Sequence, residues 1–159
     1  MIRSYLMTFL ISMVPIVELR GAIPYGILIA DPHLPILGAY VVSILGNMLP
    51  VPIIFFFARK VLEWGKNKKY IGSFFTWCLN KGHRGGEKLR EKAGSGIYIA
   101  LLLFVATPLP GTGAWTGTLA ASILDLNFKD SVKAIISGVL LSGLIIGLLS
   151  HLGLNVIKN

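Results

Sequence analysis

The sequence PIVELRGAIPYG at residues 15–26 decides how this chain is interpreted, because it interrupts an apolar stretch that runs over 4–30. Proline removes a backbone donor and clashes with the preceding helical turn, while glycine lets the chain reverse direction. The helix-breaking residues of this segment are Pro15, Gly21, Pro24 and Gly26. We therefore expect the helix to break at the centre of the stretch and to return in a short second limb over 22–30.

The rest of the chain is also dominated by apolar residues. Of its 159 residues, 54% are hydrophobic and 14% are charged, whereas about 25% are charged in an average soluble domain. Four stretches each reach the roughly 20 residues that cross a hydrocarbon core. They are 4–30, 34–58, 96–124 and 131–157. These observations predict an all-α integral membrane protein that crosses the cell membrane more than once.

The third apolar stretch is broken in the same way as the first. It contains ATPLPGTGAW at 106–115, with helix breakers at Pro108, Pro110, Gly111 and Gly113. The limbs before and after this segment, 98–107 and 114–124, would each span about 15 Å at the helical rise, which is half of the hydrocarbon core. The first and third stretches are therefore predicted to be re-entrant helical hairpins. Two kinked helices that cross the membrane remain the alternative.

An internal repeat relates the two halves of the chain. YLMTFLISMVP at 5–15 aligns without gaps on YIALLLFVATP at 98–108, and each is followed by a limb, an acidic turn and a long apolar stretch. Inverted repeats of this kind are common among transporters. We predict one membrane domain composed of repeat one (1–58), a basic linker (59–95) and repeat two (96–159). Within the linker, YIGSFFTWCL at 70–79 is predicted to be an interfacial helix with aromatic anchors, or a loop packed on the bundle.

The positive charge is concentrated in that linker. The formal net charge is +8, and ten of the 15 Lys and Arg residues lie between Arg59 and Lys92. Basic loops stay on the cytoplasmic side of a membrane, so the linker is predicted to be cytoplasmic. A basic segment between two apolar halves does not indicate nucleic-acid binding. The charge count is the same whether the first and third stretches re-enter or cross, so it does not decide between them.

Two ionisable residues inside the first apolar stretch, Glu18 and Arg20, are the strongest functional signal. An ionisable side chain at the bilayer centre costs at least about 2.5 to 3.5 kcal/mol, so it usually faces a partner or a cavity. A second limb that begins at the midplane presents free N–H groups and the positive end of its dipole, which suits an anion. Glu18 suits a proton or a cation. Alternatively, Glu18 and Arg20 pair with each other, or with backbone groups, as a structural contact.

The predicted binding site combines these residues with both hairpin tips. Its members are Glu18, Arg20, Gly21, Pro24, Tyr25, Pro108, Pro110, Gly111, Thr112, Gly113 and Trp115. Asn47 and Ser142 lie in the other apolar stretches and are expected to bond between helices instead. The single cysteine, Cys78, excludes an intrachain disulfide and a multi-cysteine metal site. We expect no metal, no cofactor and no enzymatic activity, because the sequence contains no nucleophile triad, phosphate loop or metal constellation.

The segments VPIVELRGAIPYGI and ATPLPGTGAWTGTLAASIL, separated by a basic linker, resemble the putative small multidrug export protein family. The resemblance covers essentially the whole chain, and more distantly the chain is similar to the DedA/VTT superfamily. That second resemblance implies paired re-entrant hairpins, and some of its members are implicated in moving lipid phosphates across the bilayer. Those relatives have acidic residues in the first hairpin, which Glu18 matches, and arginines in the second, which this chain lacks.

The leading functional prediction is a secondary transporter that moves an anionic lipid or small amphiphile from a site between the hairpin tips. Glu18 would carry a coupling proton, and Arg20 would bind the head group. A cationic drug exporter is one alternative. A membrane scaffold or assembly factor acting through the basic linker is another. We also expect a homodimer, which native mass spectrometry would detect, because a second copy would cover polar tips that are costly to expose to lipid.

Overall fold

The computed structural model describes residues 2–15, 17–30, 35–68, 72–77, 80, 94, 96–109 and 111–158, with side-chain surroundings in the last helix as far as residue 152. The helices are α1 (Ile2–Met13), α2 (Glu18–Pro24), a π-helical continuation (Tyr25–Ala30), α3 (Ile36–Met48), α4 (Pro50–Gly65), α5 (72–77), α6 (Gly96–Ala106), α7 (Ala114–Ile123) and α8 (Phe128–Lys158). No strand occurs in these residues. The predicted all-helical fold class is therefore confirmed.

The first apolar stretch forms a helical hairpin. The Ser4 hydroxyl, near the start of α1, donates to the carbonyl of Ala30 at 3.4 Å, so the second limb returns to the level at which α1 begins. The helix breaks where Pro15 cannot continue it. Since α2 begins at Glu18, the second limb is longer than the predicted 22–30.

The prediction that the chain also breaks at Gly21, Pro24 and Gly26 is wrong. Gly21 and Pro24 lie inside α2, and Gly26 lies in the π-helical continuation. Proline is tolerated inside membrane-type helices because neighbouring helices and local π-helical adjustments satisfy the freed backbone groups. The π-helical residues that directly follow Pro24 are such an adjustment.

The third apolar stretch forms the second hairpin, with limbs within two residues of those predicted. Its limbs are α6 and α7, and the segment between them includes Gly111 (φ +86°) and Gly113 (φ +141°), backbone conformations that favour glycine. The backbone N–H of Asn127, directly before α8, donates to the Tyr98 hydroxyl at 3.3 Å. This contact closes the base of the second hairpin as Ser4 closes the first.

Two long helices accompany the hairpins. Helices α3 and α4 continue into each other through Leu49 and form a 30-residue apolar helix, Ile36–Gly65. Its prolines, Pro50 and Pro52, do not interrupt it. Both lie in the first turn of α4, where backbone N–H groups have no acceptor within that helix, so a missing N–H costs little. The second long apolar segment is Phe128–Leu152 of α8. Both are long and apolar enough to cross a membrane, which indicates a membrane protein.

The helix packing is the same in both halves of the chain. In each half the first limb packs on the long helix of its own half, α1 on α3 and α6 on α8. The second limbs pack crosswise, α2 on α8 and α7 on α4. The buried core includes Ile23, Val51, Val105, Ile135 and Val139, so it draws on both hairpins and both long helices. This crossing joins the two halves into one helical bundle.

The bases of the two hairpins lie at opposite ends of the helix Ile36–Gly65. Near its start, Gly38 packs against the Tyr5 ring of the first hairpin. Near its other end, the carbonyl of Phe55 accepts a hydrogen bond from Ser122 at 2.7 Å, and Arg59 pairs with Asp125. The tips of the hairpins therefore approach each other from opposite directions.

Only part of the basic linker is described. Helix α5 lies within the predicted helix 70–79, and the Phe75 ring of α5 packs against Gly65. The Lys68 ammonium lies 4.3 Å from the centre of the Trp64 ring. Residues 69–71, 78–79 and 81–93 lie outside the described residues, so the structure does not test the interfacial placement of this segment.

Candidate functional site

The Glu18 carboxylate binds the amino-terminal end of α7, on the opposite hairpin. Its Oε1 accepts a hydrogen bond from the backbone N–H of Trp115 at 3.1 Å. Glu18 is 4% exposed and is the first residue of α2, with a left-handed backbone (φ +46°). A carboxylate is favourable at the start of α7, because the first N–H groups of a helix have no partner within the helix and the helix dipole is positive there.

Gly113 makes the approach of Glu18 possible. A Cβ at this position would overlap the carboxylate oxygens of Glu18. The φ of Gly113 is +141°, which L side chains rarely adopt. Gly113 is therefore required both for the turn into α7 and for the space that the carboxylate occupies.

The Arg20 guanidinium binds the same tip from the other side. Its two terminal nitrogens donate to the carbonyls of Leu109 and Thr112, in the segment between α6 and α7. Carbonyls at a helix break lack helical donors, so an arginine fork is well suited to them. Arg20 Nη2 also lies 3.9 Å from Glu18 Oε2. The alternative in which these charges pair with each other or with backbone groups therefore describes their contacts, and the backbone groups belong to the opposite hairpin.

The turn itself is held by Thr112. Its hydroxyl lies 2.5 Å from the carbonyl oxygen of Thr107 and 2.8 Å from that of Leu109. The loop therefore presents its carbonyls to Arg20 in a defined arrangement, which a flexible turn would not do.

A small enclosed cavity lies directly behind the tips. It offers about 10 Å³ to the centre of a water molecule, which is room for about one water. Its polar lining comes from four parts of the chain: Glu18 and Arg20 from α2, Thr112 and Gly113 from the second tip, Asn47 from α3 and Ser142 from α8. The two hairpins and both long helices therefore meet at this small polar cavity.

Asn47 is the residue of this cavity that sequence reasoning misplaced. It is 1% exposed, and neither atom of its side-chain amide has a hydrogen-bond partner among the described residues. The prediction that it bonds between helices is therefore wrong. The sequence shows a polar residue within a long apolar stretch, but it does not show what the amide contacts.

The remaining predicted site residues that the structure describes do not line this cavity. Gly21 lies inside α2, where a Cβ would collide with the Val17 side chain, and Pro24 and Tyr25 lie further along the same limb. The expectation that Gly21 lies at the amino-terminal end of the second limb is wrong, because α2 begins at Glu18. Pro108 and Gly111 belong to the turn of the second hairpin, and Pro110 lies outside the described residues.

Trp115 connects the site to an apolar groove. Its backbone N–H binds Glu18, while its side chain lines a groove between α4 and α7 together with Phe57, Val61 and Leu119. The groove has a volume of about 340 Å³ and an almost wholly apolar lining. Trp115 therefore contacts both the Glu18 carboxylate and the apolar groove. Among the described residues, no group of three His, Cys, Asp or Glu could hold a metal ion.

A comparison with known protein families gives a match over most of the chain. No curated protein and no solved structure matches the chain. The family model described as "Putative small multi-drug export protein" matches residues 18–145, a segment that includes the helix Ile36–Gly65, the second hairpin and the first part of α8. Because this match covers well over half of the sequence, the chain belongs to the putative small multi-drug export protein family.

Proposed function

We propose that the protein is a secondary transporter whose binding site lies between the two hairpin tips and accepts an anionic lipid or small amphiphile. Membership of an export-protein family indicates a transporter rather than an enzyme. The observation that supports the site is that Glu18 and Arg20, both from the first hairpin, bind backbone groups of the second hairpin tip. Charges inside an apolar bundle are costly unless they serve a partner or a ligand.

The proposed transport cycle requires the tips to separate. In the structure the carboxylate of Glu18 occupies the positive end of α7, and Arg20 is bound to backbone carbonyls. The cavity behind them is far smaller than the roughly 300 Å³ or more of a ligand pocket. When the tips separate, an anionic head group takes the place of the Glu18 carboxylate at α7 and beside Arg20. A protonated Glu18 has no charge with which to compete, so proton uptake favours anion binding.

The groove beside Trp115 supports an amphiphilic substrate. Its apolar lining begins at the residue whose N–H binds Glu18, so a molecule with its head group at the tip can place its tail along α4 and α7. Burying an acyl chain there is favourable by about 0.8 kcal/mol per methylene group. A cationic amphiphile would bind Glu18 instead of Arg20, so transport of an anionic and of a cationic probe distinguishes the two kinds of substrate.

We further propose that both hairpins are re-entrant and enter the membrane from opposite faces, as an inverted repeat. The closed hairpin bases at Ser4 and Tyr98, at opposite ends of Ile36–Gly65, support this topology. We expect cysteines at positions 3 and 31 to be labelled from one side of the membrane. Cysteines at 96 and 127 should be labelled from the other, cytoplasmic side, in a Cys78→Ser background. Labelling of 3 and 31 from opposite sides would mean that the first stretch crosses the membrane.

The central test of the proposed function is Glu18→Gln in proteoliposomes. Glutamine keeps an oxygen for the Trp115 N–H but cannot take up a proton. The probes are NBD-labelled phosphatidylglycerol as the anionic amphiphile and tetraphenylphosphonium as the cation, each measured with and without a pH gradient. We expect the wild type to move the lipid faster with the gradient, and the variant to move it without that acceleration.

The control is Asp130→Asn, which removes a carboxylate from the exposed start of α8, where it contacts Lys133 at 3.3 Å. It should retain the pH response. An unchanged pH response in Glu18→Gln would assign Glu18 a structural role only. Transport of tetraphenylphosphonium in place of the lipid would favour the cationic drug exporter. Transport of neither probe would favour the scaffold or assembly factor that acts through the basic linker.

A further inference from the structure

The side chain of Asn47 is an unusual feature of the cavity behind the tips. Asn47 belongs to α3, in the long helix Ile36–Gly65, and it lines this cavity together with Glu18, Arg20 and Ser142. It is 1% exposed, and neither Nδ2 nor Oδ1 has a partner among the described residues. Because both atoms are free, this observation does not depend on which of the two is assigned as nitrogen.

A buried amide without partners destabilises a fold. An apolar side chain of similar size would avoid that cost in a helix that is otherwise apolar. Ser43, one turn earlier in α3, shows the usual arrangement, because its buried hydroxyl donates to the Ala39 carbonyl at 2.7 Å. Asn47 therefore needs a partner other than the described protein groups, and the adjoining cavity has room for one, either a water or a group of a ligand.

The chemistry of the amide restricts what that ligand can be. Arg20 has only donors and suits an anion, but anionic oxygens only accept hydrogen bonds and would leave Asn47 Oδ1 unpaired. The missing partner must donate as well as accept. A hydroxyl group does both, is close in size to the water for which the cavity has room, and carries no charge that Arg20 would repel.

We infer that Asn47 is a ligand-contacting residue of the site between the tips, and that it binds a hydroxyl group carried next to the anionic group of the substrate. This inference rests on the proposed transport function. It narrows the substrate class to hydroxyl-bearing anionic amphiphiles, such as a phospholipid with a polyol head group.

The test compares two lipids that differ in this group alone. NBD-labelled phosphatidylglycerol has head-group hydroxyls, and NBD-labelled phosphatidylmethanol has the same charge without them. Reconstituted wild-type protein should move phosphatidylglycerol about tenfold faster, the ratio that one hydrogen bond typically provides. Asn47→Leu should move the two lipids at similar rates, mainly by losing its rate for phosphatidylglycerol. Ser43→Ala is the matched control on the same helix and should keep the wild-type ratio.

Thermal stability in detergent is measured on the same proteins. Asn47→Leu removes two unpartnered polar groups, so its melting temperature should equal or exceed that of the wild type. Asn47→Ala, which needs no additional space, is examined alongside it. A clear loss of stability in both variants would show that Asn47 supports the fold, and would overturn the inference.

The transport rates of the two lipids test the inference separately from the proposed transport function. Equal rates for the two lipids in the wild type, or an unchanged ratio in the Asn47 variants, would overturn the inference and leave the proposed transport function in place. If the wild type moves neither lipid while Asn47→Leu is fully stable, the proposed function for lipids fails, and the hydroxyl assignment fails with it.

Discussion

Replacing Arg20 by alanine is expected to abolish transport and to destabilise the protein by about 3 to 5 kcal/mol, the range measured when one partner of a buried ion pair is removed. The variant leaves the Glu18 carboxylate without its neighbouring cation. It also leaves the carbonyls of Leu109 and Thr112 without the donors that hold the second tip. Transport in proteoliposomes and the melting temperature in detergent would measure the two effects.

Two further variants separate charge from geometry. Arg20→Lys keeps the positive charge but loses the planar fork that reaches two carbonyls, so it should recover part of the stability and less of the transport. Arg59→Ala is the matched control, because Arg59 pairs with Asp125 and Glu63 at an exposed position. Exposed pairs contribute about 0 to 1 kcal/mol. Equal losses in Arg20→Ala and Arg59→Ala would contradict a special role for Arg20.

Gly113→Ala is expected to have the second largest effect. The new Cβ would occupy the position of the Glu18 carboxylate, on a backbone with φ +141° that alanine adopts only with strain. Unfavourable backbone conformations of this kind cost about 1 to 3 kcal/mol before any collision is counted. We expect the melting temperature to fall by several degrees and the second tip to lose its contact with α2, so that transport is lost.

The control for this substitution is Gly147→Ala in α8. A Cβ at Gly147 would meet nothing within 4 Å, and alanine favours a helix over glycine by about 1 kcal/mol. Gly147→Ala should therefore be neutral or stabilising. If the collision with Glu18 causes the defect, Glu18→Ala combined with Gly113→Ala should cost less than the sum of the single variants. Strict additivity would show that backbone strain alone explains the loss.

The sequence alone predicted the features that depend on composition and local stereochemistry. Long apolar stretches require a bilayer or a buried bundle, and this predicted the all-helical class and both long helices. The dense group of prolines and glycines at 108–113 cannot continue a helix, so the limbs of the second hairpin were predicted within two residues. The rarity of charges in apolar stretches drew attention to Glu18 and Arg20, and the structure places both beside the second tip.

Only the tertiary structure decided where the first hairpin breaks and what its charges bind. Pro24 and Gly21 read as breakers locally, but packing of α2 against α1, α3 and α8 holds the helix through both of them. Glu18 and Trp115 are 97 residues apart in the sequence, so no local pattern can show that the carboxylate occupies the start of α7. Asn47 is indistinguishable in sequence from an asparagine that bonds between helices. Its unpartnered amide exists only because the tips and both long helices enclose one small cavity around it.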